Sequence, residues 1–325
     1  MGRTLIGSFE DVKELSKTIM DEVKSVIVGK EEAIEGLLIA LLSGGHVLLE
    51  GPPGVAKTYM AKAFSMTLGC TFKRIQFTPD LLPADIIGTN VYNQQKGVFE
   101  FIPGPVFANI ILADEINRAP PRTQAALLEC MQEKQVTVEG KTHSLPKPFM
   151  VIATQNPIEL EGTYPLPEAQ LDRFLFKLPV DYPVIEEEVE ILQRKSILED
   201  PEEITVRPVV NPTIIVEMSR WATKVYVDKK VMDYIAEIVT SIRKSRYISY
   251  GASPRASIAL MLASRARAAI HGRNYIEPDD VKILAPFVLS HRIILTPEAE
   301  LEGVTPMQVI SEVINRVPVP AEIQA

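Results

Sequence analysis

The feature that most constrains this chain is a short loop, residues 51–58, which reads Gly-Pro-Pro-Gly-Val-Ala-Lys-Thr. Apolar residues at 46–50 predict a buried strand before it, and apolar side chains at helical spacing follow it. A strand, a glycine-bearing loop ending in Lys-Thr and a helix form the layout of a P-loop, which holds phosphates with backbone N–H groups. We therefore expect Lys57 to reach phosphate oxygens and Thr58 to place its hydroxyl on Mg²⁺. The competing interpretation is a glycine-proline turn.

One position departs from the usual P-loop pattern, because Ala56 stands where glycine is common. A methyl group there is compatible with phosphate binding only if the backbone φ stays negative and the phosphate stays clear of Cβ. We therefore expect ordinary helical backbone at Ala56, where alanine is favoured over glycine by up to ~1 kcal/mol.

Two carboxylates follow the next strongly apolar segment. Residues 110–113 predict a strand buried on both faces, and it ends in Asp114 and Glu115. Open α/β sheets bind ligands at the carboxyl ends of their strands. Two adjacent acids beside a buried strand are unfavourable unless a metal or hydrogen-bond donors compensate them. We expect Asp114 to hold the metal shell and Glu115 to polarise an attacking water. The alternative is a strand end that has reached solvent.

Further polar residues complete the pattern. The strand predicted at 149–154 is followed by Asn156, whose amide could bridge a γ-phosphate and the water, although a loop asparagine before proline is often only a turn residue. Arg173 lies between apolar residues just before another predicted strand, and Arg255 follows Ser-Pro in a helical region.

These segments resemble the AAA+ ATPases, and within them the MoxR family. The resemblance covers nearly the whole chain. It depends on the P-loop, including its alanine, and on the segments Pro103–Phe107, Leu112–Pro121, Ala153–Pro157 and Glu168–Phe174.

The resemblance implies site roles, ATP and Mg²⁺ as cofactors, and a ring. Walker A comprises Gly51, Pro52, Pro53, Gly54, Val55, Ala56, Lys57 and Thr58, and Walker B comprises Asp114 and Glu115. Asn156 corresponds to sensor 1 and Arg173 to an arginine finger that acts on a neighbouring subunit, with Arg118 as a competing candidate. Arg255 corresponds to sensor 2, in cis or in trans. Val28 and Gly29 correspond to a turn that contacts adenine.

The hydrophobic pattern predicts an α/β domain followed by a helical lid. Strands at 46–50, 72–77, 109–113, 149–154 and 174–178 alternate with helices, which predicts a parallel sheet flanked by helices. Residues 89–101 and 135–145 predict two β-hairpins, which in the resembled family face the ring's pore; the alternative is plain surface loops. We predict an AAA+ domain at 1–182, a linker at 183–212 marked by prolines, and an all-α lid at 213–325.

Composition limits the classes of partner. The net charge is −8 and the pI about 5.3, which lowers the expectation of nucleic-acid binding. The two cysteines are far apart in sequence and no apolar stretch is long enough for a membrane span, so we expect a cytoplasmic location. The first 17 residues lack a signal-peptide core. The basic residues Arg265, Arg267 and Arg273 are expected to be solvated.

Three functions fit this pattern. The first is the activity that the MoxR resemblance implies: a hexameric ATPase that remodels or matures a protein client, such as a separate chain with a von Willebrand factor A domain. The second is a nucleic-acid motor or a chelatase-type ATPase subunit. The third is a scaffold that binds ATP and scarcely turns it over, against which Glu115 and Arg173 argue.

Overall fold

The computed structural model describes residues 6–157, 162–196 and 204–320. In chain order, its first part contains α1 (Phe9–Lys24), α2 (Glu31–Leu42), β1 (Val47–Glu50), α3 (Lys57–Thr67), β2 (Phe72–Gln76), α4 (Pro83–Ile87), β3 (Gly88–Asn93), β4 (Val98–Pro103), β5 (Ile110–Asp114), α5 (Pro121–Glu133), β6 (Gln135–Val138), β7 (Lys141–Ser144), β8 (Met150–Gln155), α6 (Glu168–Leu171) and β9 (Phe176–Pro179).

The second part is mainly helical. It contains α7 (Ile185–Ser196), α8 (Pro212–Lys224), α9 (Lys229–Arg243), β10 (Ile248–Tyr250), α10 (Pro254–Ile270), α11 (Pro278–Leu289), a 3-10 turn (Ser290–Arg292), β11 (Ile294–Leu295), α12 (Pro297–Leu301) and α13 (Pro306–Arg316). The helical lid is confirmed, with one addition: β10 and β11 form a small antiparallel pair. Residues 197–203, within the predicted linker and including Pro201, lie outside the described residues.

The predicted parallel sheet is confirmed. Its five strands lie in the order β2-β5-β8-β1-β9, and every pairing is parallel. Consecutive residues of the central strands enter two different cores, because side chains alternate across a sheet. In β5, for example, Leu112 packs in one core and Ile111 in the other. Both faces are therefore covered, which explains the near-continuous apolar sequence of these strands.

The register brings three loops to one edge of the sheet. Glu50 at the end of β1 pairs with Gln155 at the end of β8, and Ala113 in β5 pairs with Ala153 in β8. The segments that follow β1, β5 and β8 therefore leave the sheet side by side. These segments carry the P-loop, the acidic pair and Asn156.

The two predicted β-hairpins are confirmed and contact each other. β3 pairs with β4, and β6 pairs with β7 through a turn at Glu139 and Gly140, both with positive φ. The Asn90 amide donates to the Glu139 carboxylate at 2.6 Å, and the rings of Phe101 and His143 stack with centroids 4.2 Å apart. These contacts join the hairpins into one surface unit.

The expectation that the lid arginines are solvated is wrong for Arg267 and Arg273. Both donate to Asp280, whose side chain is fully buried in α11, and Arg267 also lies 3.3 Å from Glu35 of α2. A buried carboxylate requires such charged partners. The cluster therefore ties the lid to the N-terminal helices, which also pack against α8 and α10.

The buried side chain of His46 connects the sheet to α5 through two hydrogen bonds. The His46 Nδ1 accepts the N–H of Val151 at 2.9 Å, and its Nε2 lies 3.1 Å from the carbonyl oxygen of Met131, to which it donates. This pattern requires the neutral ring. Burial lowers the pKa of His46 to about 4, outweighing the hydrogen bond to Met131.

Both cysteines are free thiols. Cys130 is buried and Cys70 is half-buried, and burial raises the pKa of each to about 12. Cys130 is therefore a core thiol. Among the residues with described positions, no helix has the length and apolar character that would let it cross a membrane.

Candidate nucleotide-binding site

The P-loop connects β1 to α3 and turns sharply at both ends. A Cβ at Gly51 would lie 2.1 Å from the carbonyl oxygen of Val180, so no larger residue fits there without a shift. Gly54 has a φ of 82° and Ala56 a φ of 64°. The expectation of a negative φ at Ala56 is therefore wrong. The loop passes into α3 within one residue, and this turn places a left-handed residue immediately before Lys57.

The Lys57 side chain is folded over its own loop. Its Nζ donates to the carbonyl oxygens of Gly51 and Pro52, at 2.6 and 2.8 Å. Burial lowers the pKa of Lys57, while Asp114 and Glu115 act in the opposite direction. The ammonium group therefore lies at the mouth of the loop, near the two acids.

Asp114 is almost fully buried and accepts hydrogen bonds from three side chains. Thr154 Oγ1 donates at 2.6 Å and Thr58 Oγ1 at 3.2 Å, while Arg74 approaches through Nη2 at 2.7 Å and Nε at 3.0 Å. A hydroxyl and a carboxylate oxygen side by side are ligands that suit Mg²⁺. The Arg74 guanidinium contacts the same Asp114 oxygen that accepts from Thr58. The space beside this oxygen therefore favours a cation.

Glu115 follows Asp114 in a left-handed conformation with a φ of 56°. Its N–H donates to Thr154 Oγ1 at 2.8 Å, and its carboxylate accepts from the Gln76 amide at 2.7 Å. Arg118 Nε lies 3.2 Å from the same carboxylate. Arg118, the competing candidate for a trans-acting arginine, is therefore engaged within its own chain.

One cavity collects the predicted phosphate and hydrolysis residues. It has a volume of about 310 Å³. Its lining comprises Pro53, Gly54, Val55, Ala56, Lys57, Thr58, Tyr59, Asp114, Glu115, Thr154, Gln155 and Asn156. Asn156 is buried, with 6% of its surface exposed. Residues 53–58 of the predicted P-loop, the acidic pair and Asn156 are thus neighbours around one space.

A second, more apolar cavity of about 740 Å³ lies beside the first and shares Gly54 to Ala56, Thr58 and Tyr59 with it. Val28 lines this cavity. Gly29 is not among its lining residues, and a Cβ there would lie 2.3 Å from the Glu187 carboxylate of α7. The Lys195 ammonium group lies over the Tyr59 ring, 4.7 Å from the ring centroid. An apolar space adjoining a phosphate loop suits a planar base.

The two arginines predicted for the site, Arg173 and Arg255, lie outside both cavities. Arg173 lines a separate cavity of about 560 Å³ beside α5, together with Glu129 and Glu133. Arg255 has a side chain that is 67% exposed, with Nη1 3.9 Å from Asp172. Among the described residues, neither arginine lines the cavity that contains the P-loop of its own chain.

Three residues that contact the acids were not predicted from the sequence: Arg74, Gln76 and Thr154. Their common signal is the strand register, which pairs Gln76 with Asp114 in the neighbouring strand. A polar residue at the end of a strand is a candidate contact for the acidic pair when that strand adjoins β5. These three contacts were therefore predictable only once the order of the strands was known.

Family models match both parts of the chain. The ATPase family associated with various cellular activities (AAA) matches residues 46–176, and the AAA lid domain matches residues 240–313. A crystal structure from Cytophaga hutchinsonii, described as that of a candidate ATPase, superimposes with a TM-score of 0.89 at 45% sequence identity and covers 96% of this chain and 97% of that one.

Relatives match almost end to end. The chain is 49% identical to the Bacillus subtilis protein YeaC, with 97% of this chain and 98% of YeaC aligned. It is 46% identical to Chaperone MoxR1 of Mycobacterium tuberculosis, with 97% and 84% aligned, and 29% identical to Protein MoxR of Methylorubrum extorquens, with 94% of each aligned. The chain therefore belongs to the MoxR family of AAA+ ATPases.

Proposed function

We propose that this protein hydrolyses ATP with Mg²⁺ and, assembled as a hexameric ring, uses the reaction to remodel or mature a protein client. The observation that carries the proposal is the cavity that brings the P-loop, the acidic pair and Asn156 together. The chaperone name of the 46% identical relative supports the client activity. We also propose the division into an AAA+ domain at 1–182, a linker at 183–212 and a lid at 213–325. The cytoplasmic location stays a prediction.

The residues around the first cavity fit a Mg²⁺–ATP complex. Thr58 and Asp114 would hold the metal, because their oxygens lie 3.2 Å apart at the entrance of α3. Gly51 to Thr58 would hold the phosphates, and the cavity lined by Val28 would take the base. Bound there, the complex would supply the reacting γ-phosphoryl group and a metal that neutralises charge on its oxygens.

Three side chains of this protein would have separate roles in the reaction. Lys57 would leave the carbonyl oxygens of its loop and contact the phosphates in the ground state. Glu115 would orient the attacking water and accept its proton, once its carboxylate is released by Gln76 and Arg118. Asn156 would hold the water against the γ-phosphate with its amide.

The positions of Arg173 and Arg255 support assembly into a ring. Both lie away from their own P-loop, and the Arg173 side chain makes no hydrogen bond or ion pair with the residues that the structure describes. The alternative role for Arg173, a structural ion pair with a nearby acid, has no support among the described residues. We propose that both arginines reach the γ-phosphate of a neighbouring subunit. A guanidinium there stabilises the charge of the transferring group.

The joined hairpins are the surface that we propose for the client. The first hairpin exposes Tyr92, Val98 and Phe99 near its turn. Such an exposed apolar surface suits contact with another protein. The client could be a separate chain with a von Willebrand factor A domain.

The second candidate, a nucleic-acid motor or chelatase-type subunit, has less support. A nucleic-acid motor would need a basic pore surface. The hairpin lysine Lys96 is instead neutralised by Glu100 at 2.7 Å, and Glu139 accompanies Lys141 in the second turn. Stimulation of phosphate release by single-stranded or duplex DNA would favour this candidate over the protein client.

Subunit mixing tests the proposed function. Lys57→Ala removes phosphate binding from a subunit, and Arg173→Ala removes its finger. Each variant alone should hydrolyse ATP slowly, whereas a mixture should regain activity, because one type of interface then combines an intact P-loop with an intact finger. A mixture of Lys57→Ala with Glu115→Gln is the control. Every nucleotide site in that mixture lacks either Lys57 or Glu115, so no site can hydrolyse ATP. Full activity in a dilute sample shown to be monomeric would overturn the ring.

A further inference from the structure

The segment that carries Arg173 is held by a lid arginine far away in sequence. Arg292 ends the 3-10 turn after α11, and its side chain is only 4% exposed. Its Nε donates to the Asp172 carboxylate at 2.7 Å, and its Nη2 donates to the carbonyl oxygens of Asp172 at 3.2 Å and Phe174 at 2.7 Å. Its Nη1 donates to the carbonyl oxygen of Leu175 at 3.2 Å. One guanidinium thus binds the chain on both sides of Arg173.

The neighbouring lid residue adds a second attachment. The buried His291 donates through Nε2 to the carbonyl oxygen of Phe174 at 3.0 Å. Two consecutive lid side chains therefore hold the backbone that immediately follows Arg173.

Asp172 connects this attachment to the other arginine of the proposed trans site. One of its carboxylate oxygens accepts from Arg292, and the other lies 3.9 Å from Arg255 Nη1. Arg255 belongs to the start of α10, which is also part of the lid. Asp172 therefore lies between Arg292 and Arg255, and it directly precedes Arg173.

Only an arginine can make this set of contacts. Its planar fork presents five N–H donors in fixed directions, whereas lysine presents a single point charge. Burial strengthens the geometric constraint, because each of the contacted carbonyl oxygens would lose a hydrogen-bond donor if the fork were removed.

We propose that Arg292 is a positioning residue for hydrolysis in the neighbouring subunit: it fixes the Arg173 segment to the lid, so that Arg173 and Arg255 are presented together. This inference deepens the proposed function and rests on it, because it takes Arg173 to act in trans. A change of lid position would then move both arginines relative to the neighbouring nucleotide. Lid position would thereby control hydrolysis in the next subunit.

The test replaces Arg292 with lysine, which keeps the charge and loses the fork. Arg292→Lys should lower kcat by about 10–100-fold, the effect of misplacing a catalytic group by about 1 Å. Nucleotide affinity, measured by titration with a fluorescent ATP analogue, should stay near wild type because the subunit's own P-loop is intact. Arg273→Lys is the matched control: it removes a fork from another lid arginine, which binds Asp280 and does not contact residues 172–175. That variant should keep the wild-type kcat.

Mixing with Lys57→Ala subunits separates positioning from general damage. Arg292→Lys should be rescued, because its intact P-loop can be served by the intact Arg173 of a Lys57→Ala neighbour. A subunit that is merely misfolded would not be rescued. If Arg292→Lys does not fold, Asp172→Asn carries the same test, since it keeps the side-chain size and weakens the contacts to Arg292 and Arg255 from the other side.

The outcomes distinguish this inference from the proposed function. If Arg173→Ala is rescued by Lys57→Ala but Arg292→Lys is not, or if Arg292→Lys is as active as wild type, the positioning role is wrong and the trans finger stands. If Arg173→Ala is not rescued either, the trans finger itself fails. Rescue of both variants, with wild-type activity of Arg273→Lys, supports the inference.

Discussion

Replacement of Ala56 by glycine should stabilise the protein. Ala56 has a φ of 64° and a ψ of 22°, in the left-handed region, where a residue with a Cβ is strained by ~1–2 kcal/mol. Glycine removes this strain but increases the conformational entropy of the unfolded chain, which is worth about 0.4–1 kcal/mol. The difference predicts a net gain of about 0.5–1 kcal/mol in the free energy of unfolding.

Urea unfolding of the nucleotide-free protein measures this gain. With a denaturant dependence of about 3 kcal/mol per molar urea, the midpoint should rise by about 0.2–0.3 M. Ala125→Gly is the matched control, since Ala125 is exposed within α5, in the same part of the chain, and has no positive φ. Glycine there should lower stability by about 1 kcal/mol. The same substitution is therefore expected to act in opposite directions at the two positions.

A fall of the midpoint in Ala56→Gly similar to that of Ala125→Gly would refute this reasoning. It would mean that the Ala56 backbone is helical in solution, as its sequence context alone suggests, or that its methyl group makes contacts worth more than the strain. A rise in the midpoint with an unchanged denaturant dependence would assign the effect to the folded loop.

Two further predictions concern the phosphate site and the core. Lys57→Ala should abolish ATP binding, whereas Glu115→Gln should bind ATP and stop hydrolysis, because Lys57 contacts ground-state phosphates and Glu115 acts on the water; equal loss of binding in nucleotide titrations would contradict these roles. The folded pKa of His46, about 4, lies below its ordinary value of 6.5, so the unfolded chain binds the extra proton between these pH values. Stability should therefore fall as the pH drops from 6.5 to about 4, by about 3 kcal/mol at most from this residue, and His46→Gln should show a shallower fall in urea midpoints.

Local patterns were sufficient to predict the five-stranded sheet, the two hairpins and most of the cavity lining. The P-loop and the acidic pair each follow an apolar strand directly, so the strand end, the loop and the site residues occupy one short segment. The hairpins were predictable for the same reason, because each turn lies between two short extended runs. Parallel strands then bring their carboxyl ends to one edge without further information.

The other contacts of the site and the lid join residues that lie far apart in sequence, so local patterns do not predict them. Gln76 reaches Glu115 only because β2 lies next to β5, and Arg74 reaches Asp114 for the same reason. The lid arginine Arg267 was expected to be solvated, since no neighbouring residue in sequence indicated that Asp280 is buried beside it. The conformation of Ala56 was mispredicted because the loop geometry overrides the preference of alanine for helical backbone.

The distribution of charge gives a physical reason for the proposed assembly. Around the first cavity, Asp114 and Glu115 face Lys57, and Arg74 is committed to Asp114. Transfer of a phosphoryl group places additional negative charge on oxygens, which requires further positive charge at the moment of reaction. The two arginines proposed for that purpose lie on a different surface and are fixed to the lid through Asp172 and Arg292. In the proposed ring, each nucleotide site would therefore receive the additional positive charge from Arg173 and Arg255 of the neighbouring subunit.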